Sequence, residues 1–137
     1  MGIRKHNKAE AEKQARKSQY VARLNDCPTS PRKMRLIADL IWGERVEKAL
    51  GVLKYSPKAA STTMYKLLLS AMSNWQVKNE GSRIEDAQLF VKEVSVDGGR
   101  MLKRLQTAPQ GRAYRLRKRS NHITLVLGDN MENNEEK

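Results

Sequence analysis

The sequence predicts an α+β fold that carries a long, basic, protruding β-hairpin. Three observations predict it. Three segments between Ser30 and Asn79 place apolar side chains at helical spacing. Three short segments, near Tyr20, Phe90 and Ile123, alternate with a period of two. Between the last two, residues 98–122 hold eight basic side chains and no acidic one, yet keep a β-type alternation.

The elements follow in order. Residues 1–18 form a basic extension in which Ala9, Glu10, Ala11, Glu12, Lys13, Gln14 and Ala15 favour helix. It has no apolar stripe to bury, so a solvated tail and a tail that orders on RNA both fit. Tyr20, Ala22 and Leu24 share one face of a short strand, which Asn25-Asp26-Cys27-Pro28 is expected to break. Cys27 reads as a small apolar side chain at that strand's end. Ser30-Pro31 starts a helix, with Ser30 as the cap and Pro31 at the first position, where its missing amide costs nothing. Met34, Ile37, Ala38 and Ile41 form its stripe, and Gly43 ends it. A second helix carries Val46, Ala49, Leu50 and Leu53. Ser56-Pro57 repeats the start signal for a third, which buries Ala60, Met64, Leu67, Leu68, Ala71 and Trp75 and closes at Gly81. Phe90, Val94 and Val96 share a face of the next strand, and Ile123, Leu125 and Leu127 share a face of the last.

Charge divides the chain. Of a net +12 on 137 residues, residues 98–122 carry +8 and residues 1–18 carry +4, while residues 128–137 carry −3. The middle is nearly neutral and folds as an ordinary domain. So basic a chain points to a polyanionic partner. No apolar run reaches the length of a membrane span, and residues 1–17 lack the apolar stretch of a signal peptide. The expectation is a cytoplasmic protein with no membrane insertion.

The connection at 98–122 contains too few large apolar residues for a core of its own. Thr107-Ala108-Pro109-Gln110-Gly111 supplies a turn. Arg115, Arg117 and Arg119 fall on one face of an extended leg, with Tyr114, Leu116 and Lys118 on the other. Legs of about nine residues would reach roughly 30 Å. An isolated hairpin is marginal in water, and eight unopposed cations weaken it further, so a partner must supply counter-charge. Arg outnumbers Lys six to two here, which suits bidentate phosphate contacts and stacking on irregular RNA. With Tyr114 its only aromatic residue, the arm is no single-strand stacking platform, so contacts should read phosphate and shape. A flexible basic loop with general polyanion affinity is the competing reading.

Catalytic groups are not paired in the sequence. His6 lies in the extension and His122 at a strand start. Asp97-Gly98-Gly99-Arg100 is too short for a phosphate loop and reads as a bend at the root of the arm. Glu85-Asp86 and Glu135-Glu136 lack metal-ligand partners. No catalytic residue, metal or cofactor is therefore expected.

Two stretches, Ser30 to Gly43 and Ala49 to Ala60, resemble the universal L-twenty-two family of large-subunit ribosomal proteins, bacterial type. The arm carries the sharpest match: Val96-Asp97-Gly98-Gly99, Lys103-Arg104, Gly111-Arg112-Ala113, Lys118-Arg119 and His122-Ile123-Thr124. The likeness covers roughly residues 20–128. It implies a three-helix, three-stranded-sheet globular domain with the hairpin projecting from it. It further implies binding to 23S ribosomal RNA, a part in subunit assembly, contact with neighbouring large-subunit ribosomal proteins, and a hairpin lining the nascent-peptide exit tunnel. The RNA-contacting set expected is Arg32, Lys33, Arg35, Arg100, Lys103, Arg104, Arg112, Arg115, Arg117, Lys118, Arg119 and His122. The tip facing the nascent peptide would be Leu105, Gln106, Thr107, Ala108, Pro109, Gln110 and Gly111, less cationic than the family's usual pattern. The expected organisation is a basic extension (1–18), the globular domain with its arm (19–128, arm 98–122) and a disordered acidic tail (129–137).

Overall fold

A computed structural model describes residues 3–80, 82–84 and 87–129. Among these, the chain runs α1 (Ile3–Ser18), β1 (Tyr20–Cys27), α2 (Pro31–Ile41), α3 (Val46–Tyr55), α4 (Ala59–Lys78), β2 (Phe90–Thr107) and β3 (Ala113–Gly128). The fold is α+β: α2, α3 and α4 are the three expected helices, and α1 adds a fourth from the extension. Gly81, Glu85, Asp86 and the acidic tail beyond Asp129 lie outside the described residues.

The sheet is antiparallel with the order β1-β3-β2, so the last strand lies in the middle. Tyr20 pairs with Leu127 and Leu24 with Ile123 on one side; Phe90 pairs with Gly128 and Val96 with Ile123 on the other. Ile123, Leu125 and Leu127 point into the core and are essentially fully buried. They join Met34, Ile37 and Ile41 of α2, and Met64 and Leu68 of α4, in one apolar cluster. The stripes expected for α2 and α4 are buried in full; in α3, Leu50 is only partly buried. Cys27 is buried at the end of β1, as a small apolar residue would be.

The free edge of β2 is closed by the α2–α3 connection. Gly43 N–H donates to Val91 O (2.9 Å), Val91 N–H to Glu44 O (3.0 Å) and Val46 N–H to Leu89 O (2.9 Å). This covers backbone groups that would otherwise pair with another chain. Gly43 serves that junction with φ +74 just after α2, the left-handed geometry glycine adopts without strain.

Several local expectations are corrected. Ser30 caps α2 through its backbone carbonyl, which accepts from Lys33 and Met34, and its side chain makes no capping bond. Ser56 ends α3 and Lys58 precedes α4, so Ser56-Pro57 is a connection and not a helix start. β1 does end inside the stretch Asn25-Asp26-Cys27-Pro28, at Cys27, but it carries Asn25 and Asp26 with it through an irregularity between Leu24 and Cys27, where Asp26 takes φ 53. In β2 a bulge between Val91 and Glu93 breaks the alternation, so Val91 and Val96 are buried while Phe90 and Val94 are only partly so.

A second bulge marks the root of the arm. Gly98 pairs with Asn121 and Met101 with Arg119, leaving Gly99 and Arg100 opposite Ser120 alone. A Cβ on Gly99 would lie 2.6 Å from Ser120 Oγ and 3.2 Å from both the Ser120 carbonyl carbon and His122 Nε2. Ser120 Oγ in turn donates to the Arg100 carbonyl. Asn121 is completely buried, and its Nδ2 donates to Thr29 O (2.7 Å) and Thr29 Oγ1 (2.8 Å), tying β3 to the start of α2.

Two stability predictions follow from this root. Gly99→Ala should cost about 1–3 kcal/mol through overpacking, measured as a shift of the urea midpoint, and Ser120→Gly in the same chain should recover part of the loss. Asn121→Ala should cost about 1–3 kcal/mol by stripping Thr29 O of its donor. Asn121→Asp should cost more, because a buried carboxylate oxygen would then face the Thr29 carbonyl oxygen.

Candidate nucleic-acid interface

β2 and β3 do not stop at the edge of the core. The same two strands continue outward as the arm, so the hairpin is the sheet prolonged and not a separate module. Beyond the bulge, Met101–Thr107 pairs residue by residue with Ala113–Arg119. Each leg is therefore seven residues, about 23 Å at the usual rise, shorter than the nine expected. The turn proper is 108–112, closed by Ala108 N–H donating to Arg112 O (2.9 Å), with Gln110 (φ 63) and Gly111 (φ 69) both left-handed. The expected tip is thus half strand and half turn: Leu105 faces Arg115, Gln106 faces Tyr114 and Thr107 faces Ala113.

Residues directly opposite each other in an antiparallel pair share a face. One face of the arm therefore carries Lys103, Arg115, Arg117 and Arg119 beside Met101 and Leu105. The other carries Arg104 and Lys118 beside Leu102, Gln106, Tyr114 and Leu116. The division expected for Arg115, Arg117 and Arg119 against Tyr114, Leu116 and Lys118 is borne out. Lys103 lies directly opposite Arg117, a like-charge pairing that weakens a ladder. Among the described residues no acidic side chain forms an ion pair with an arm cation. No arm residue belongs to the buried core; Leu102, Leu105 and Tyr114 are well exposed.

The arginine face has a definite orientation. Along β3, Arg115, Arg117 and Arg119 have the same parity as Asn121, Ile123, Leu125 and Leu127, whose side chains are buried. The cationic face therefore prolongs the side of the sheet on which the helices pack. At the root this brings α2 and the arm together. Ser30, Pro31, Arg32, Arg35, Gly98 and Arg119 line one shallow cleft, a convergence that neither segment announces alone. Arg32 and Lys33 are exposed in the first turn of α2, which contains no acid to balance the helix dipole. Arg35 spends part of its guanidinium inside the fold, donating from Nε (3.2 Å) and Nη2 (2.9 Å) to Val96 O.

His122 is also occupied within the protein. Its Nδ1 accepts the Asp26 amide (3.0 Å), and its Nε2 lies 4.0 Å from the Asp26 carboxylate. An accepting Nδ1 places the proton of the neutral ring on Nε2. The histidine thereby pins the end of β1 to the arm's root. Arg100 lies in the bulge and Arg112 at the far end of the turn. No cluster of three potential metal ligands occurs among the described residues.

A second basic cleft escaped the sequence reading. Arg16, Gln19, Arg23, Asn74 and Lys78 line a depression where α1, β1 and α4 meet. Lys78, in the last turn of α4, was the available signal.

Comparison with known proteins fits this geometry. The model of the family described as ribosomal protein L22p/L17e matches residues 22–128, from β1 to the end of β3, and so takes in the helical domain and the whole arm. The large ribosomal subunit protein uL22 of Christiangramia forsetii is 65% identical over 130 residues, 95% of this chain and 96% of that protein. That of Flavobacterium johnsoniae is 62% identical over 93% of each chain. That of Bacteroides fragilis is 54% identical over 99% of each. With a match over most of its length and relatives this close, the chain belongs to the ribosomal protein L22p/L17e family.

Proposed function

We propose that this protein is a non-catalytic structural constituent of the large ribosomal subunit, working in the cytoplasm. It binds 23S ribosomal RNA, aids subunit assembly and lines the nascent-peptide exit tunnel with its hairpin. The observation that carries this reading is the arm itself: two seven-residue legs without a core, without acids, and with Lys103 set against Arg117. Phosphates around such an object would offset its like-charge repulsion. The names of the close relatives, all large ribosomal subunit proteins, support the particle assignment.

Roles follow from position. Lys103, Arg104, Arg115, Arg117, Lys118 and Arg119 grip phosphates along the legs, with Arg100 and His122 at the root. Arg32, Lys33 and the remaining donors of Arg35 extend that grip onto the body. The segment 105–111 faces the passing peptide, and Arg112 and Arg115 hold RNA just behind it. Exposed Leu36, Leu40 and Trp42, at α2, offer contacts to neighbouring ribosomal proteins. The chain divides into a basic extension (1–18), the domain with its arm (19–128) and an acidic tail (129–137).

A free regulatory RNA-binding protein is the competing class, since it too would carry a basic arm. Cofractionation separates the two: stoichiometric recovery in salt-washed large subunits is expected, and a mainly free pool would count against the proposal.

Replacing residues 102–118 by an Asn-Gly turn should leave one cooperative unfolding transition, with stability changed by less than about 1 kcal/mol, because the arm adds nothing to the core. The same chain should lose most affinity for ribosomal RNA fragments. Arg115→Gln, Arg117→Gln and Arg119→Gln together should lower the slope of log affinity against log salt by about 2–3. Affinity equal at low and high salt would sink the electrostatic account.

A further inference from the structure

Nothing in the proposed function uses the cleft where α1, β1 and α4 meet. It is cationic without compensation: Arg16, Arg23 and Lys78 line it, and no acidic side chain does. Arg16 and Arg23 are exposed, and among the described residues neither side chain makes a hydrogen bond or ion pair. Lys78 is only partly committed. Its Nζ donates to Lys17 O and Gln19 O, both at 2.7 Å, and an ammonium has a third proton to give. Val77 adds one exposed apolar side chain to the wall.

The chain's own acidic segment leaves the fold beside this cleft. β3 is antiparallel to β1, and Tyr20 pairs with Leu127, so β3 runs out of the sheet at the end where β1 begins. Asp129 anchors that exit: it is buried, and Trp75 Nε1 donates to its Oδ2 at 3.5 Å. Trp75 is near the end of α4, next to Asn74 and three residues before Lys78, and both of those line the cleft. Residues three apart are neighbours on a helix surface. The anchor of the tail and the cleft's lysine thus belong to one helical turn.

Residues 130–137 carry Glu132, Glu135, Glu136 and Lys137, with Met131 as their one large apolar residue. Eight residues reach up to about 26 Å, and Glu132 comes within about 10 Å of chain past the anchor. The arm is the other cationic surface. It begins beyond Asn121, and the strand from Asn121 to Asp129 is itself about 26 Å long. The cleft, not the arm, adjoins the tail's exit.

We infer that in the free protein residues 130–137 dock into this cleft as an intramolecular polyanion, with Glu132, Glu135 and Glu136 on Arg16, Arg23 and Lys78 and Met131 against Val77. Each of these exposed ion pairs alone is weak and screened by salt. The tether changes the balance, because a short link holds the acids near the cations at an effective concentration in the millimolar range. Any other anion that enters the cleft must first displace the tail. The tail is thereby an internal competitor that lowers the chain's affinity for stray polyanions at this end of the body.

The test is amide NMR on the full chain at low salt, with tripolyphosphate as the competing anion. One variant carries Glu132→Gln, Glu135→Gln and Glu136→Gln. The other carries Arg16→Gln and Arg23→Gln, both at exposed positions; Lys78 stays, because it holds the exit of α1. The tail variant is expected to move the signals of Gln19, Val21, Arg23 and Val77, and the cleft variant those of residues 132–136. Both differences should vanish near 1 M salt. Tripolyphosphate should bind the cleft of the parent chain about three- to tenfold more weakly than that of the tail variant, as follows when the open cleft is a minor population. Identical cleft signals and identical tripolyphosphate affinity in the parent and the tail variant overturn the inference. Shifts confined to Met101–Arg119 put the tail on the arm and overturn it equally. Shifts that grow with protein concentration put the tail on a second copy and also overturn it.

Discussion

The hydrogen-bond ladder between β2 and β3 sets almost every other feature of this molecule. It begins at Phe90 and Gly128, against the buried end of the sheet, and continues to Thr107 and Ala113 at the arm's turn. Within it the environment changes completely. Ile123, Leu125 and Leu127 are inside the core, while Arg115, Arg117 and Arg119 on the same strand and of the same parity are in solvent. Apolar burial secures one half of the ladder, and that half fixes the register of the other. A hairpin with its own flexible hinge would have no such reference. Here the direction of the arm and the side its arginines face are inherited from the core.

The bulge at Gly99 and Arg100 is where that inheritance is adjusted. An extra residue on β2 bends the strand and increases its local twist, and Gly99 is required because the Ser120 side chain and backbone occupy the space of a Cβ. Three further ties meet at this level: Asn121 to Thr29, His122 to the Asp26 amide, and Arg35 to Val96 O. Each joins a different element to the ladder, namely the β1–α2 connection, the end of β1, and α2. The root of the arm is thus braced from three directions. That bracing matters mechanically, because an arm without a core transmits no restraint of its own.

Much of this was legible in the sequence. The stripes of α2 and α4, the Ile123–Leu125–Leu127 face, the buried Cys27 and the two faces of the arm are all periodicity read correctly. The errors share a cause. Ser30, Ser56-Pro57 and Asn25-Asp26-Cys27-Pro28 are strong local signals; α4 starts only after Lys58, and β1 runs on to Cys27 because Cys27 pairs with Asn121 and the Asp26 amide donates to His122 Nδ1. Bulges are invisible to a period-two reading, so Val91 was missed and Phe90 placed on the wrong face. The cleft joining Arg32, Arg35, Gly98 and Arg119 could not be found from spacing, since it unites positions more than sixty residues apart. The basic composition of the arm, by contrast, needed no structure.

The division of labour in Arg35 shows why fold and interface cannot be separated at the arm's root. Two of its guanidinium nitrogens satisfy Val96 O, the carbonyl of the last buried residue of β2 before the bulge. A lysine there would offer a single ammonium in place of a planar fork. Arg35 also lines the cleft shared with Arg119. A polyanion bound in that cleft would therefore press on a side chain that already holds α2 to β2. The residue that holds α2 to β2 thus also lines the cleft at the root, so neither role of Arg35 can be altered without the other.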